Sequence, residues 1–126
     1  AYVEQIEYVN RRILEVIDTI LARSSPRPII ILQSDHGSAS SLPERTASED
    51  RWHDFARERM PNLNAWLAPA AVQAKVRPDV SSVNTFRVLL AALFGADLPE
   101  LPDRSFLARA MYDRPYEFED VTAVVR

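Results

Sequence analysis

The sequence of 126 residues contains no cysteine, no long apolar run and no concentration of basic residues. The absence of cysteine excludes disulfide bonds, thiolate metal ligands and cysteine nucleophiles. No apolar stretch approaches the roughly 20 residues that a membrane-spanning helix needs, so the sequence predicts none. A formal net charge of −3, with basic residues scattered among acidic ones, offers no surface for a phosphate backbone. Nucleic acid is therefore not an expected partner.

What is present is typical of a folded chain. A hydrophobic content of 47% over this length allows one domain with one modest core, and residues 1–126 are treated as a single unit. From residue 2 to residue 23 apolar side chains recur at intervals of three and four, with charged residues between them. This spacing predicts an amphipathic helix. Residues 24–28, SSPRP, end it, because proline has no N–H and disfavours helical geometry in the residue before it.

A short apolar run, residues 29–32 (IIIL), follows without polar alternation, which is typical of a strand covered on both faces of a parallel sheet. Only weak strand candidates come later, at residues 64–67 and 117–125. We therefore expect a mainly parallel central sheet with flanking helices, and further strands supplied from upstream of residue 1.

The remaining chain divides into four segments. Residues 38–48 are polar and predict a mobile loop, and residues 49–59 predict a marginal helix. Several N-cap candidates at residues 81–84 precede a nearly all-apolar stretch that ends at Gly95, which predicts a buried helix with a glycine C-cap. Residues 96–104 predict a turn region. Residues 116–125 have the β-rich composition of a terminal edge strand.

The strongest chemical signal is QSDHG, residues 33–37, placed where the apolar strand ends. In open α/β sheets, ligands bind outside the carboxyl ends of strands. A carboxylate oxygen and an imidazole nitrogen suit zinc and several other divalent ions. Asp35 and His36 can reach one ion if the backbone turns, and Gly37 can take the positive φ that permits such a turn.

The same residues have simpler interpretations. Asp35 and Gly37 can form an ordinary turn that leaves His36 exposed in a loop, because a motif of three residues recurs by chance. Ser34 lies close to His36 in sequence, but it has no Gly-x-Ser-x-Gly elbow and no third catalytic partner. A serine-hydrolase site is therefore not expected.

Three segments together resemble a known family: PIIILQSDHG (28–37), MPNLNAWLAP (60–69) and VNTFR (83–87) followed by Phe94-Gly95. They are similar to the late metal-binding part of the sulfatase and alkaline phosphatase superfamily, in particular its bacterial membrane-anchored, phosphoethanolamine-transferase-like branch. The similarity spans roughly residues 2 to 118.

The resemblance implies several expectations. The fold would be the C-terminal part of an alkaline-phosphatase-like α/β sandwich. Asp35 and His36 would bind a divalent ion (zinc, manganese, calcium or magnesium), within a hydrolase or transferase of sulfuric or phosphoric esters, the ester being carried on a lipid or glycan. The nucleophile and the other acidic ligands have no counterpart here, so the chain alone would be inactive and would need the N-terminal remainder of its domain. The parent protein would be membrane-anchored, with this domain outside the cytoplasm.

Three further residues are weaker candidates for contact with substrate. His53 would contact substrate or act as a further metal ligand if its segment folds over the site, although an exposed helix face explains it as well. Asn84 and Arg87 lie beside a helix start, where backbone N–H groups favour anions, although capping explains Asn84 more simply.

Two other functions stay open. The chain can be a non-catalytic binding or assembly domain that retains the scaffold, or a self-contained α/β binding module in which Asp-His-Gly is only a turn. Apolar surface without a cover also predicts self-association through the strand edge or the apolar helix faces.

Overall fold

The structure is a computed structural model that describes residues 2–41, 43, 47–109 and 113–126. Its helices and strands, in chain order, are α1 (Tyr2–Arg23), β1 (Ile30–Gln33), α2 (Glu49–Arg59), β2 (Asn64–Leu67), α3 (Ala70–Gln73), α4 (Ser82–Phe94), β3 (Phe106–Ala108), β4 (Phe118–Asp120) and α5 (Thr122–Val125). The predicted helices at 2–23 and 49–59 are confirmed with these bounds. In the described parts of the chain, no helix is both long and apolar enough to span a bilayer.

The expected parallel central sheet is wrong. The described residues form two sheets of two strands each, and both are antiparallel. β1 pairs with β2, with Ile30 opposite Leu67 and Gln33 opposite Asn64, and β3 pairs with β4. These elements do not build the alkaline-phosphatase-like sandwich. An apolar run of four residues is compatible with either strand direction, so it could not decide the sheet type.

The strand β1 is also less covered than expected. Ile30, Ile31 and Leu32 are half-buried and Gln33 is exposed. One flank of β1 faces a cleft of about 330 Å³ that separates it from α1. The helix α1 itself buries no residue, and Tyr2, Val3 and Leu14 are each at least 60% exposed.

The core lies instead on α2 and the C-terminal elements. Trp52, Phe55 and Ala56 of α2 pack against Leu107 of β3 and Val121 ahead of α5. The helix that looked marginal is therefore the centre of the fold. Its spacing of apolar residues gives it one buried face although its other face is densely charged.

The helix α4 ends at the predicted glycine, but it is less buried than predicted. Gly95 has φ 64° and its N–H donates to the Ala91 carbonyl, which is the left-handed C-cap. However, Phe86 and Phe94 are exposed, so the expected burial of the whole helix is wrong. The covered side faces α3, the 99–103 segment and the polar ends of β1 and β2, where Thr85 accepts from Gln33 and Asn64.

The tail and the early loop depart from the sequence predictions in part. Residues 116–125 are not one edge strand, because β4 covers only Phe118–Asp120 and α5 follows it. The strand β3 falls just after the predicted turn region and gave no sequence signal. The loop predicted at 38–48 lies partly outside the described residues. Its first part, residues 38–41, is bonded to α2.

Candidate metal centre

The Asp-His pair sits in a turn that continues the β1–β2 ladder by one residue. The Ser34 N–H donates to the Leu63 carbonyl at 3.0 Å, and the Leu63 N–H donates to Ser34 Oγ at 2.8 Å. Asn62 Nδ2 donates to the Ser34 carbonyl at 3.0 Å. Ser34 thus fixes the backbone before Asp35 and has a structural use for its hydroxyl.

Asp35 and His36 bring their side chains together on the surface. Asp35 Oδ1 accepts the His36 backbone N–H at 3.0 Å, and Asp35 Oδ2 lies 3.1 Å from His36 Nε2. The Asp35 side chain is 82% exposed and that of His36 is 44% exposed. The backbone bond orients the carboxylate toward the imidazole. The carboxylate and the imidazole of these two neighbouring residues therefore lie side by side, and their role as metal ligands stays a prediction.

Gly37 permits this turn by its size rather than by a positive φ, so the predicted reason is wrong. Among the described residues, Gly95 is the one glycine with positive φ. The Gly37 N–H donates to the Arg59 carbonyl at 2.8 Å. A Cβ built on Gly37 would lie 2.2 Å from the Glu58 carbonyl oxygen and 2.5 Å from that of Pro61. The loop packs directly on the last turn of α2, where no side chain fits.

Arg59, which the sequence did not single out, contacts the imidazole. Its Nη1 donates to the Gly37 carbonyl at 3.0 Å and lies against His36 Nδ1. His36 Nδ1 is also 2.8 Å from the Gly37 carbonyl. Since a guanidinium only donates, the contact with Arg59 is satisfied when Nδ1 accepts and the ring proton is on Nε2, facing Asp35. When Nδ1 carries the proton, it donates to Gly37, and Nε2 offers a lone pair beside the carboxylate.

These two tautomers have different uses. With the proton on Nε2, the pair is a hydrogen bond between His36 and Asp35. With the proton on Nδ1, the pair presents two ligand atoms and a backbone carbonyl orients the ring, which is the common arrangement for metal-binding histidine. Arg59 therefore favours the first state.

Glu58 fixes the loop that follows the pair. Its carboxylate accepts hydrogen bonds from the hydroxyls of Ser38, Ser40 and Ser41 and from the Ser40 N–H, the last at 2.7 Å. The serine hydroxyls and this amide lower the pKa of Glu58 to about 2. The carboxylate thus stays charged at neutral pH and holds residues 38–41 against α2.

His53 is not brought to the pair. Its Nε2 lies 3.2 Å from Glu49 Oε1, one turn back on α2. Glu49 also binds Arg109, whose guanidinium lies 4.9 Å from the Trp52 ring centroid. The Arg109 hydrogen bond is the main cause that lowers the pKa of Glu49. His53 therefore belongs to a surface cluster that connects α2 to β3.

Asn84 and Arg87 lie on α4 and bind the segment that follows this helix. Asn84 is fully buried, where Nδ2 donates to the Leu101 carbonyl at 2.9 Å and Oδ1 accepts the Leu101 N–H at 2.9 Å. The N-cap position belongs to Ser81. Arg87 Nη1 donates to the Pro99 carbonyl at 2.9 Å. Neither residue faces the Asp-His pair in any described contact.

A second polar centre, at Asp103, was not anticipated. Its side chain is 8% exposed and accepts bonds from Ser81 Oγ, Arg77 Nη2 and Asn84 Nδ2. The Ser81 hydroxyl and then the Arg77 guanidinium hold the pKa of Asp103 well below its usual range. No local motif marks Asp103, because its partners Arg77, Ser81 and Asn84 lie 19 to 26 residues away along the chain.

The described residues contain no group of three or more His, Cys, Asp or Glu side chains that could hold a metal. In comparisons with known proteins, no family model, no curated protein and no solved structure matched this chain. The resemblance to the sulfatase and alkaline phosphatase superfamily therefore stays a prediction.

Proposed function

We propose that Asp35 and His36 are two ligands of a divalent-metal site that serves hydrolysis or transfer of sulfuric or phosphoric esters. The observation that carries the proposal is the 3.1 Å separation of Asp35 Oδ2 and His36 Nε2. The proposal does not need a parallel sheet, since the antiparallel β1–β2 ladder and the end of α2 position the turn.

The donor pair fits a metal ion in distance and chemistry. Two ligands at about 2.0–2.1 Å from a tetrahedral zinc ion lie about 3.3 Å apart, close to the separation found here. Imidazole favours zinc over manganese, calcium and magnesium, which prefer oxygen ligands. A bound ion would neutralise charge on the sulfuryl or phosphoryl group and lower the pKa of an attacking hydroxyl.

Residues of this chain orient Asp35 and His36, and the guanidinium of Arg59 lies beside them. Asp35 is oriented by the His36 N–H, and the His36 ring is oriented by the Gly37 carbonyl. Arg59 lies on the far side of the imidazole and is half-buried. When the ring proton moves to Nδ1, the Arg59 contact is lost, and the guanidinium can instead pair with an anionic ester.

Two ligands leave a tetrahedral ion half coordinated, so other groups must complete the site. We propose that they come with the nucleophile from polypeptide outside the described residues, and that this chain alone does not turn over substrate. Sulfatase or phosphatase activity of the purified chain, abolished by chelation, would contradict this part of the proposal.

The test is a titration of the purified chain with zinc and cobalt, followed by calorimetry and by the cobalt absorption spectrum. We expect weak, saturable binding that disappears in the double variant Asp35→Ala/His36→Ala. The chain offers a matched control in His53→Ala/Asp54→Ala, which removes the other neighbouring His and Asp and should leave binding unchanged. Equal binding by both double variants would overturn the proposal.

An assembly domain without catalysis is the second candidate, because α1 leaves its apolar residues exposed. It would be favoured if neither variant changed metal binding while substitutions on α1 changed the state of association.

A further inference from the structure

A second concave site lies beside the candidate metal centre. A cleft of about 580 Å³ opens between β2, the end of α2 and the 76–81 segment. This volume is within the range of sites for small molecules, about 300–1,000 Å³. Asn62 connects the two places, because it lines the cleft and donates to the carbonyl of Ser34, the residue before Asp35.

The strand β2 supplies an aromatic wall. Asn64 and Trp66 are two residues apart, so they project from the same face of the strand, and both line the cleft. Trp66 Nε1 donates to Asn64 Oδ1 at 2.7 Å. Its one donor is therefore used within the protein. The indole is half-buried and offers a ligand only apolar ring surface.

Polar groups without described partners surround that ring. Asn62 uses its Nδ2 on the Ser34 carbonyl and Ser82 Oγ, and its Oδ1 meets no donor among the described residues. The side-chain amide of Gln73 also lacks a partner in the described part of the chain, and it is exposed. Asp79 binds Arg77 through Oδ1 and is 64% exposed. Amides and a carboxylate of this kind can each bind vicinal hydroxyls.

The charges in the cleft disfavour an anionic ligand. Arg77 is bound by Asp79 at 2.7 Å, Glu100 at 2.9 Å and Asp103. Arg126 adds a weaker contact to Asp103 at 3.5 Å. Two guanidinium groups thus face three carboxylates, and both terminal nitrogens of Arg77 already donate to them. Among the described residues, a sulfate or phosphate group at the Arg77 end would have to compete with these carboxylates for the guanidinium groups.

We propose that this cleft binds a neutral, hydroxyl-rich ligand, namely one or two sugar units of a glycan. The apolar face of a sugar ring would lie on the Trp66 indole, while its hydroxyls would pair with Asn62, Gln73 and Asp79. As a ligand of the cleft, the glycan is independent of the metal site. Only its further role as the carrier of the ester rests on the proposed function.

The experiment is an NMR and calorimetric titration with glucose, galactose, N-acetylglucosamine, maltose and cellobiose in the presence of EDTA, which removes metal from the measurement. We expect saturable binding of at least one sugar in the millimolar range. Gln73→Ala should weaken it up to about tenfold, as expected for losing one hydrogen bond. Trp66→Ala should abolish it, and Trp66→Phe, which keeps a ring, should retain part of it.

The control is Gln5→Ala, an amide substitution on α1 far from the cleft in sequence, which should leave binding unchanged. Absence of saturable binding to the folded protein, or binding that survives both Gln73→Ala and Trp66→Ala, would overturn the inference. Preference for inorganic sulfate or phosphate over every sugar would also overturn it. Sugar binding that persists in Asp35→Ala/His36→Ala supports the cleft even if the metal proposal fails, and metal binding without sugar binding rejects the cleft alone.

Discussion

Gly37 packs so closely on Glu58 that a Cβ atom at Gly37 would lie 2.2 Å from the Glu58 carbonyl oxygen. Backbone cannot yield as a flexible side-chain end can, so Gly37→Ala must displace the loop or the last turn of α2. We expect the free energy of unfolding to fall by about 1–3 kcal/mol. Urea denaturation measures this change.

Gly95→Ala is the control for that substitution. Its Cβ would enter open space, but at φ 64° the strain of a left-handed residue costs about 1 kcal/mol. A Gly37→Ala protein as stable as wild type would show that the close approach is not required.

Removal of Arg59 should strengthen metal binding. The guanidinium favours the His36 tautomer that hydrogen-bonds to Asp35, and its charge repels a dication. A unit charge about 4 Å from another in water contributes about 1 kcal/mol, so Arg59→Gln should tighten zinc binding between about threefold and tenfold. Calorimetric zinc titration provides the measurement. Arg57→Gln, two residues earlier and paired with Asp54, is the control and should have little effect. Weaker zinc binding in Arg59→Gln would reject this role.

The Glu58 cluster predicts a defined pH dependence. The pKa of about 2 in the folded protein lies below the ordinary glutamate value of 4.5, so the carboxylate contributes stability that is present above pH 4.5. That contribution is lost as the pH falls from 4.5 to about 2. Wild type should therefore exceed Glu58→Gln in stability at neutral pH, and the difference should shrink through this window.

Urea unfolding at several pH values tests that prediction. Glu7→Gln on the exposed face of α1 serves as the control, because Glu7 has no ion pair with described residues. A stability difference between wild type and Glu58→Gln that does not change with pH would contradict the assigned role of the serine hydroxyls.

The apolar face of α1, part of which lines the cleft beside β1, should promote association of two copies of the chain. Tyr2, Ile6, Val9, Ile13, Val16 and Ile20 recur at alternating intervals of four and three, the pattern of a two-helix seam. Antiparallel pairing would place the acidic first turn, with Glu4, near the basic last turn, with Arg23, of the other copy. We expect light scattering to show a concentration-dependent dimer.

Ile13→Asp should shift the chain to monomer. Leu14→Asp provides the control, since Leu14 is equally apolar but does not line the cleft between α1 and β1. A monomer at every concentration of wild type, or equal effects of the two substitutions, would reject this interface.

Local patterns predicted much of the secondary structure. The period of the apolar residues in α1 and the glycine at residue 95 depend on a few neighbouring residues, and both predictions are confirmed. Sheet direction depends on a distant partner instead. The partner of β1 lies about 30 residues later and includes the polar Asn64, which four apolar residues could not reveal.

The candidate site likewise combines contacts between sequence neighbours, which could be predicted, with contacts between distant residues, which could not. The closeness of Asp35 and His36 follows from their adjacency, which the sequence shows. The contacts of Arg59 and Glu58 depend on the approach of two backbone segments at Gly37, 21 residues or more away. Asn84 appeared to be a cap because of its place before an apolar stretch, but its bonds to Leu101 form only after the chain returns past α4.

The lack of any buried residue in α1 has a consequence for how the chain melts. The cooperative unit built on α2, β3 and α5 loses no packing when this first helix unwinds. Calorimetry should then resolve two transitions. The melting temperature of the α1 transition would rise with protein concentration, because contact with a second molecule stabilises this helix.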